Sequence, residues 1–186
     1  AQKLIDENFF TGQHGMRFLT MGSLLINQPE HKNVENYYRE LDIENAVAVT
    51  RYMVDEVTYT RTVFSSFADN VIVVRMEADK PKALNFDLSY NSPLKHVVMA
   101  KGNELVVKCE GVEQEGIPAA LNAECRILVR HNGKSGKSNK SVVVDQATVA
   151  TLYISAATNF VNYHDVGGNA SKLASSILKR AVKVPY

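Results

Sequence analysis

From Val57 to Ala78 the chain alternates with a period of two. Val57, Tyr59, Arg61 and Val63 interleave with Thr58, Thr60, Thr62 and Phe64, and Ile72, Val74, Met76 and Ala78 interleave with Val71, Val73, Arg75 and Glu77. Successive side chains of an extended backbone point to opposite faces, so this spacing fits strands and cannot keep one face of a helix apolar. The residues used, Val, Thr and Tyr above all, are those that suit a pleated surface. Ala46 to Val54 continues the run upstream with small and branched residues. Three strands joined by short polar turns make an antiparallel meander, and its apolar face requires a second layer to cover it.

The flanking sequence supplies that layer. Leu84, Phe86 and Leu88 alternate with polar residues as a half-buried strand, and Gly102-Asn103 separates the strand-forming runs 95–100 and 104–109 as a two-residue hairpin loop. Residues 121–130 read as one long strand, and 141–144 and 146–156 as two more. Phe18 to Asn27 reads as a strand interrupted by Gly22, followed by a polar connection over 29–36. Helical spacing appears only at the ends. Leu4, Ile5, Asn8 and Phe9 predict a helix over 1–10, closed by Gly12 and Gly15, with 11–17 a loop in which His14 is a solvated residue. Asn169 suits an N-cap, and Leu173, Ala174, Ile177, Leu178 and Ala181 form the stripe of a helix over 169–183 that Pro185 ends. About ten strands with turns every 8 to 12 residues predict one mainly β domain over 1–186, a two-sheet antiparallel β-sandwich with a short helix at each end.

Composition narrows the function. With 21 basic and 20 acidic residues the formal charge is +1, which gives no field to hold a nucleic acid. No apolar run reaches the length of a membrane span. Cys109 and Cys125 lack metal-site spacing and read as two buried free thiols. His14, His31, His96, His131 and His164 are dispersed, so no metal ligand set is expected, and no cofactor motif appears. Gly136-Lys137-Ser138 lies between strands and lacks the upstream glycine of a phosphate loop, so 131–140 reads as a mobile hairpin tip. Glu40, Asp42, Glu44, Asp55, Glu56, Asp69, Asp79, Glu113 and Glu115 fall in loops or turns with nothing to mark any two as an acid–base pair. No catalytic residue is expected in this chain.

The wording of the central stretch carries a resemblance. Tyr38-Arg39-Glu40-Leu41-Asp42, Val57-Thr58-Tyr59-Thr60-Arg61, Val63-Phe64-Ser65-Ser66, the run from Asp69 to Arg75, and Ala78-Asp79-Lys80-Pro81 resemble, in this order, the N-terminal domain of glycoside hydrolase family 95, the inverting α-L-fucosidases and relatives. Met21-Gly22-Ser23-Leu24 and Ala156-Ala157-Thr158-Asn159-Phe160 extend the similarity over most of the chain. Asp55-Glu56 departs from it, standing where the family has Asp-Gly, and Glu disfavours the positive φ of a tight two-residue turn, so a different turn is expected there.

The resemblance implies a fragment of a longer enzyme, with further strands before residue 1 and a helical catalytic barrel after the helix 169–183. The catalytic groups would lie in that barrel, leaving this domain to pack against it, with Arg39, Glu40 and Asp42 in structural pairings. A fucosylated glycan would be the parent enzyme's substrate, and export to the periplasm or cell exterior is expected. Two other readings stay open. One is a carbohydrate-binding module using Tyr37, Tyr38, Phe67 and Tyr90, although for Tyr37 and Tyr38 one ring facing the core is the plainer reading. The other is an assembly domain that forms a homodimer through an exposed sheet or the C-terminal helix.

Overall fold

A computed structural model describes residues 2–9, 19–113 and 116–184. The expectations for His14, Gly12, Gly15, Glu115 and Pro185 lie outside the described residues. Helix α1 (Gln2–Phe9) precedes twelve described strands: β1 (Ser23–Asn27), β2 (Glu35–Asp42), β3 (Val47–Val54), β4 (Val57–Ser66), β5 (Val71–Ala78), β6 (Leu84–Asn91), β7 (His96–Lys101), β8 (Glu104–Glu110), β9 (Asn122–His131), β10 (Lys134–Ser135), β11 (Val142–Ala147) and β12 (Val149–Thr158). Helix α2 (Ala170–Ala181) follows. The strands form a sheet of four, in the order β1-β6-β11-β10, and a sheet of eight, in the order β2-β3-β4-β5-β12-β9-β8-β7. Every pairing is antiparallel, so the chain is the two-sheet sandwich that its alternation predicts. The strand count exceeds the sequence reading because β2 begins inside the supposed polar connection and β10 lies inside the supposed hairpin tip.

The alternation sorts side chains as the two layers demand. Leu84, Phe86 and Leu88 of the small sheet meet Leu105, Val107, Ile127, Val129 and Leu152 of the large one, all 3% exposed or less. The chain passes between sheets at Thr148, the single residue between β11 and β12. Its N–H and that of Val149 both donate to Asn132 Oδ1, at 2.8 and 3.1 Å, so the break in both ladders leaves no orphaned donor. Gly133 is required beside this corner, because a Cβ there would lie 2.6 Å from the Ala147 backbone nitrogen.

Two turns illustrate opposite solutions. Lys101 pairs with Glu104 across Gly102-Asn103, with positive φ (59°) at the glycine, the residue that adopts it without strain. Val54 pairs with Val57 across Asp55-Glu56, and both residues take positive φ, 48° and 60°. The different turn expected from the sequence is therefore corrected: a two-residue hairpin with the φ signs of type I′ forms despite the glutamate. The ladder on both sides outweighs the left-handed strain, which costs about 1–2 kcal/mol for an L-residue. Glu56 gains little in return, since its ion pair with Lys80 spans 3.7 Å and its side chain is 91% exposed. Glu56→Gly is expected to stabilise the domain by about 1 kcal/mol after the entropy of glycine is counted. Urea denaturation checks this, and an unchanged or lower midpoint would contradict it.

Helix α2 lies on the outer face of the large sheet. Asn169 caps it, its Oδ1 accepting from Lys172 N–H at 2.8 Å. Ile177, Leu178 and Ala181 pack on Val71, Val73 and Tyr153, and Ser155 Oγ donates to the Ala174 carbonyl at 3.0 Å. The stripe thus finds its partner within the domain. Leu173, assigned to it from spacing, is 50% exposed, and Ala170 takes the inward position.

At the other edge, β2 has neither face covered along most of its length. Tyr37 is 61% and Tyr38 50% exposed. The expectation that one of the two faces the core is corrected, because β2 is the outermost strand of the large sheet and nothing described lies over it.

Candidate functional site

Of the acidic residues picked out from the sequence, Asp42, Asp69 and Asp79 spend their carboxylates on turns and strand ends. Asp42 accepts from the Glu44 and Asn45 N–H groups, each at 3.0 Å, and from Asn45 Nδ2 at 2.7 Å. Those hydrogen bonds, the Asn45 side chain first, lower its pKa. Asp79 accepts from Thr58 N–H at 2.9 Å, which lowers its pKa in turn. Asp69 accepts from Ser66 Oγ at 2.7 Å, and Glu40 from the Tyr38 hydroxyl at 2.9 Å. Arg39, expected in a structural pairing with a neighbour, is exposed and lacks an ion-pair partner among the described residues. No group of three or more His, Cys, Asp or Glu among the described residues could hold a metal. Cys109 and Cys125 are buried free thiols, and burial raises both pKa values, that of Cys125 to about 12.

Two carboxylates share one cleft. A hollow of about 360 Å³ beside the start of α2 is lined by Lys108, Glu110, Glu124 and Asn169 among others. Its carboxylates are already engaged. Glu110 takes Lys95 Nζ at 2.7 Å, and Glu124, 2% exposed, takes Arg126 Nε at 2.6 Å. Arg126 also donates to Glu104 Oε1 at 2.8 Å and Ser171 Oγ at 3.2 Å, tying β8, β9 and α2 together. Burial acts to lower the Arg126 pKa, and its hydrogen bonds to Glu124 and Glu104 more than reverse that. Arg126 therefore anchors a structural ion network with Glu104 and the buried Glu124, while Glu110, its side chain 60% exposed, pairs with Lys95 at the surface.

The most concentrated polar chemistry lies between the sheets. Arg61 shares the inward face of β4 with Tyr59 and Val63, a position in which a charge must find partners. Tyr52 sits directly opposite Tyr59 across the β3–β4 ladder, with ring centroids 5.5 Å apart. The segment after β1 closes over them. Arg61 Nη2 donates to Gln28 Oε1 at 3.1 Å, the Tyr52 hydroxyl donates to the same oxygen at 3.2 Å, and His31 Nδ1 lies 2.9 Å from the Tyr52 oxygen. The His31 ring rests 4.2 Å from that of Tyr59, whose hydroxyl donates to the Ala83 carbonyl at 3.2 Å. Arg61 Nε is buried without a partner. The neighbouring cavity holds about 10 Å³, room for one water and far too small for a sugar ring. The cluster therefore pins the 28–31 turn over β3 and β4. Sequence spacing shows Arg61 facing inward, but its partner Gln28 lies 33 positions away and no local pattern identifies it.

The same cluster gives a pH dependence. Burial first, and Arg61 second, lower the His31 pKa, with Asp55 opposing weakly. The unfolded chain then binds a proton at His31 more readily than the folded one, so stability is complete above the unfolded value of about 6.5 and declines as pH falls below it. His131, lowered by burial, acts in the same window, whereas Asp42 and Asp79 act only below about pH 4. The urea midpoint is expected to fall between pH 7 and pH 5, and His31→Gln is expected to shrink that fall. A midpoint that rises toward pH 5 would contradict the assignment.

The aromatics proposed as a sugar platform do not converge. Tyr37 and Tyr38 are neighbours on an exposed edge, Phe67 projects from the β4–β5 turn, and Tyr90 packs against the core, where burial pushes its pKa to about 12.

Residues 1–163 match the family model described as glycosyl hydrolase family 65, N-terminal domain. The α-L-fucosidase 2 of Arabidopsis thaliana is 31% identical over 149 aligned residues, which cover 67% of this chain and 17% of that protein. A solved structure described as a kojibiose phosphorylase from the human microbiome superposes on 90% of this chain and 27% of its own, with a TM-score of 0.48 and 11% identity. The chain thus spans less than a fifth of the length of the curated relative.

Proposed function

We propose, since this chain belongs to the glycosyl hydrolase family 65 N-terminal domain family, that it is the non-catalytic β-sandwich of an α-L-fucosidase-like glycoside hydrolase. The observation that carries this reading is the 31% identity to an α-L-fucosidase over a stretch amounting to 17% of that protein. The geometry is consistent with it: in the cleft beside α2, Glu124 is 2% exposed and bound by Arg126, and Glu110 pairs with Lys95. The domain's work is mechanical, offering a rigid body on which the catalytic domain of the same polypeptide folds and packs. The substrate of the whole enzyme is a fucosylated glycan, and export to the periplasm or exterior belongs to the same proposal.

Incubating the full-length gene product with an α-L-fucosylated oligosaccharide tests the substrate. Free L-fucose is the expected product, released faster than L-galactose from the matching galactoside. Sugar phosphate formed only when phosphate is added, or no fucose at all, would overturn the fucosidase assignment.

A further inference from the structure

The register of the large sheet brings particular turns together. Val47 pairs with Asp42 and Phe64, Ser66 with Val71, Ile72 with Ile154, and Thr158 with Ala123. The β2–β3 turn, the β4–β5 turn and the segment from β12 to α2 therefore all emerge at one end. Each carries large apolar side chains in the open: Ile43 is 87% exposed, Phe67 95%, Phe160 53%, Val161 55% and Tyr163 84%. The opposite end, made by residues 55–56, 79–83, 102–103, 132–141 and the segment entering β2, carries a single exposed large hydrophobic among the described residues, Val34 at 46%. It displays Asp55, Glu56, Lys80, Lys82, Asn103 and Asn132 instead. Two ends of one sheet built to opposite polarity indicate that one of them meets another protein surface.

The apolar end is also held rigid. Asn159, 6% exposed, donates from Nδ2 to the Ala120 and Val166 carbonyls at 3.0 and 2.6 Å and accepts from Asn122 N–H at 2.8 Å. Val161 and Asn162 N–H both donate to the Asp165 carbonyl at 3.0 and 3.1 Å, closing the tight loop from which Tyr163 projects. An aromatic fixed before binding loses little entropy on docking, which suits it to anchor an interface.

We infer that this end, centred on Phe67 and Tyr163, is the face on which the catalytic domain of the same polypeptide docks. The inference rests on the proposed function above for the partner's identity. The occupant follows from length: this domain corresponds to 17% of its curated relative, so most of such a chain lies outside it. A covalently attached partner is present at an effective concentration near millimolar, and it occupies an apolar face before a second copy can.

Hydroxyl-radical footprinting of the full-length gene product tests this. Protection at Phe67 and Tyr163, corrected for intrinsic ring reactivity, is compared with Phe86 and Tyr153, which are 3% and 6% exposed within the domain. Docking predicts that Phe67 and Tyr163 react within about threefold of those buried rings, because an anchor at the centre of an interface is closed to water. Labelling in proportion to their 95% and 84% exposure overturns the inference. Protection that vanishes on dilution, together with a change from dimer to monomer, assigns the face to a second copy and overturns it equally. Fucoside hydrolysis by the same preparation reads the parent proposal separately. Protection without hydrolysis leaves the docking face in place and removes the substrate, whereas hydrolysis without protection removes the docking face alone.

Discussion

Leu88→Ala is expected to destabilise the domain by about 4 kcal/mol, near the upper part of the range for a buried leucine. Leu88 is fully buried in β6, which has strands on both sides in the small sheet, and it pairs with Ile26 on one side and Val142 on the other. Both ladders hold the backbone in place, and the large sheet closes the remaining side, so the cavity left by truncation cannot collapse. Against a total stability of about 5–15 kcal/mol this is a large fraction. The urea midpoint is expected to drop with the slope unchanged, the mark of lost stability without altered unfolding. Ile43→Ala, at 87% exposure in the isolated domain, is the control and is expected to change stability by less than about 0.5 kcal/mol. A Leu88 variant no worse than that control would mean that the two sheets do not pack as described.

Glu124→Ala is expected to cost about 2–3 kcal/mol, because it leaves Arg126, whose side chain is only 19% exposed, without its shortest partner. Glu104 remains at 2.8 Å, but it engages Nη1 and cannot satisfy the Nε that Glu124 holds. The loss is expected to persist at high salt, since the pair is screened by protein more than by ions. Replacing Glu124 and Arg126 together with apolar residues of similar size is expected to recover much of it, because desolvation is then relieved on both partners. A loss under about 1 kcal/mol would show that water reaches Arg126 and that the network under α2 is a surface feature.

The parts of the fold legible in the sequence are those governed by local spacing. Period-two alternation identifies the β4 and β5 strands and the inward row Leu84, Phe86, Leu88 without reference to anything distant. The parts that were not legible depend on partners far along the chain. Nothing local shows that Asp55-Glu56 will accept positive φ, since ladders on both sides impose it. Leu173 fits a helical stripe as well as Ala170 does, and only the position of the sheet beneath α2 decides between them. The exposure of β2 follows from its place at the sheet edge. Gln28 and His31 share one turn far from Arg61 in sequence, and the cluster forms only when the sheets close. The apolar end was visible in pieces, with Phe67 in a turn, but its convergence with Tyr163 requires the full register from β3 to β12.

The proposal that ties these observations together is that the chain supports a catalytic domain and performs no catalysis itself. Many of its polar groups are engaged in turns, in the Arg126 network and in the cluster around Arg61, and Ile43, Phe67, Phe160, Val161 and Tyr163 stand uncovered at one end. The measurement that tests this most directly is hydrolysis of an activated α-L-fucoside by purified residues 1–186. The account predicts release no faster than in buffer at any protein concentration. Turnover that rises in proportion to the protein, and disappears when it is unfolded in urea, would contradict it.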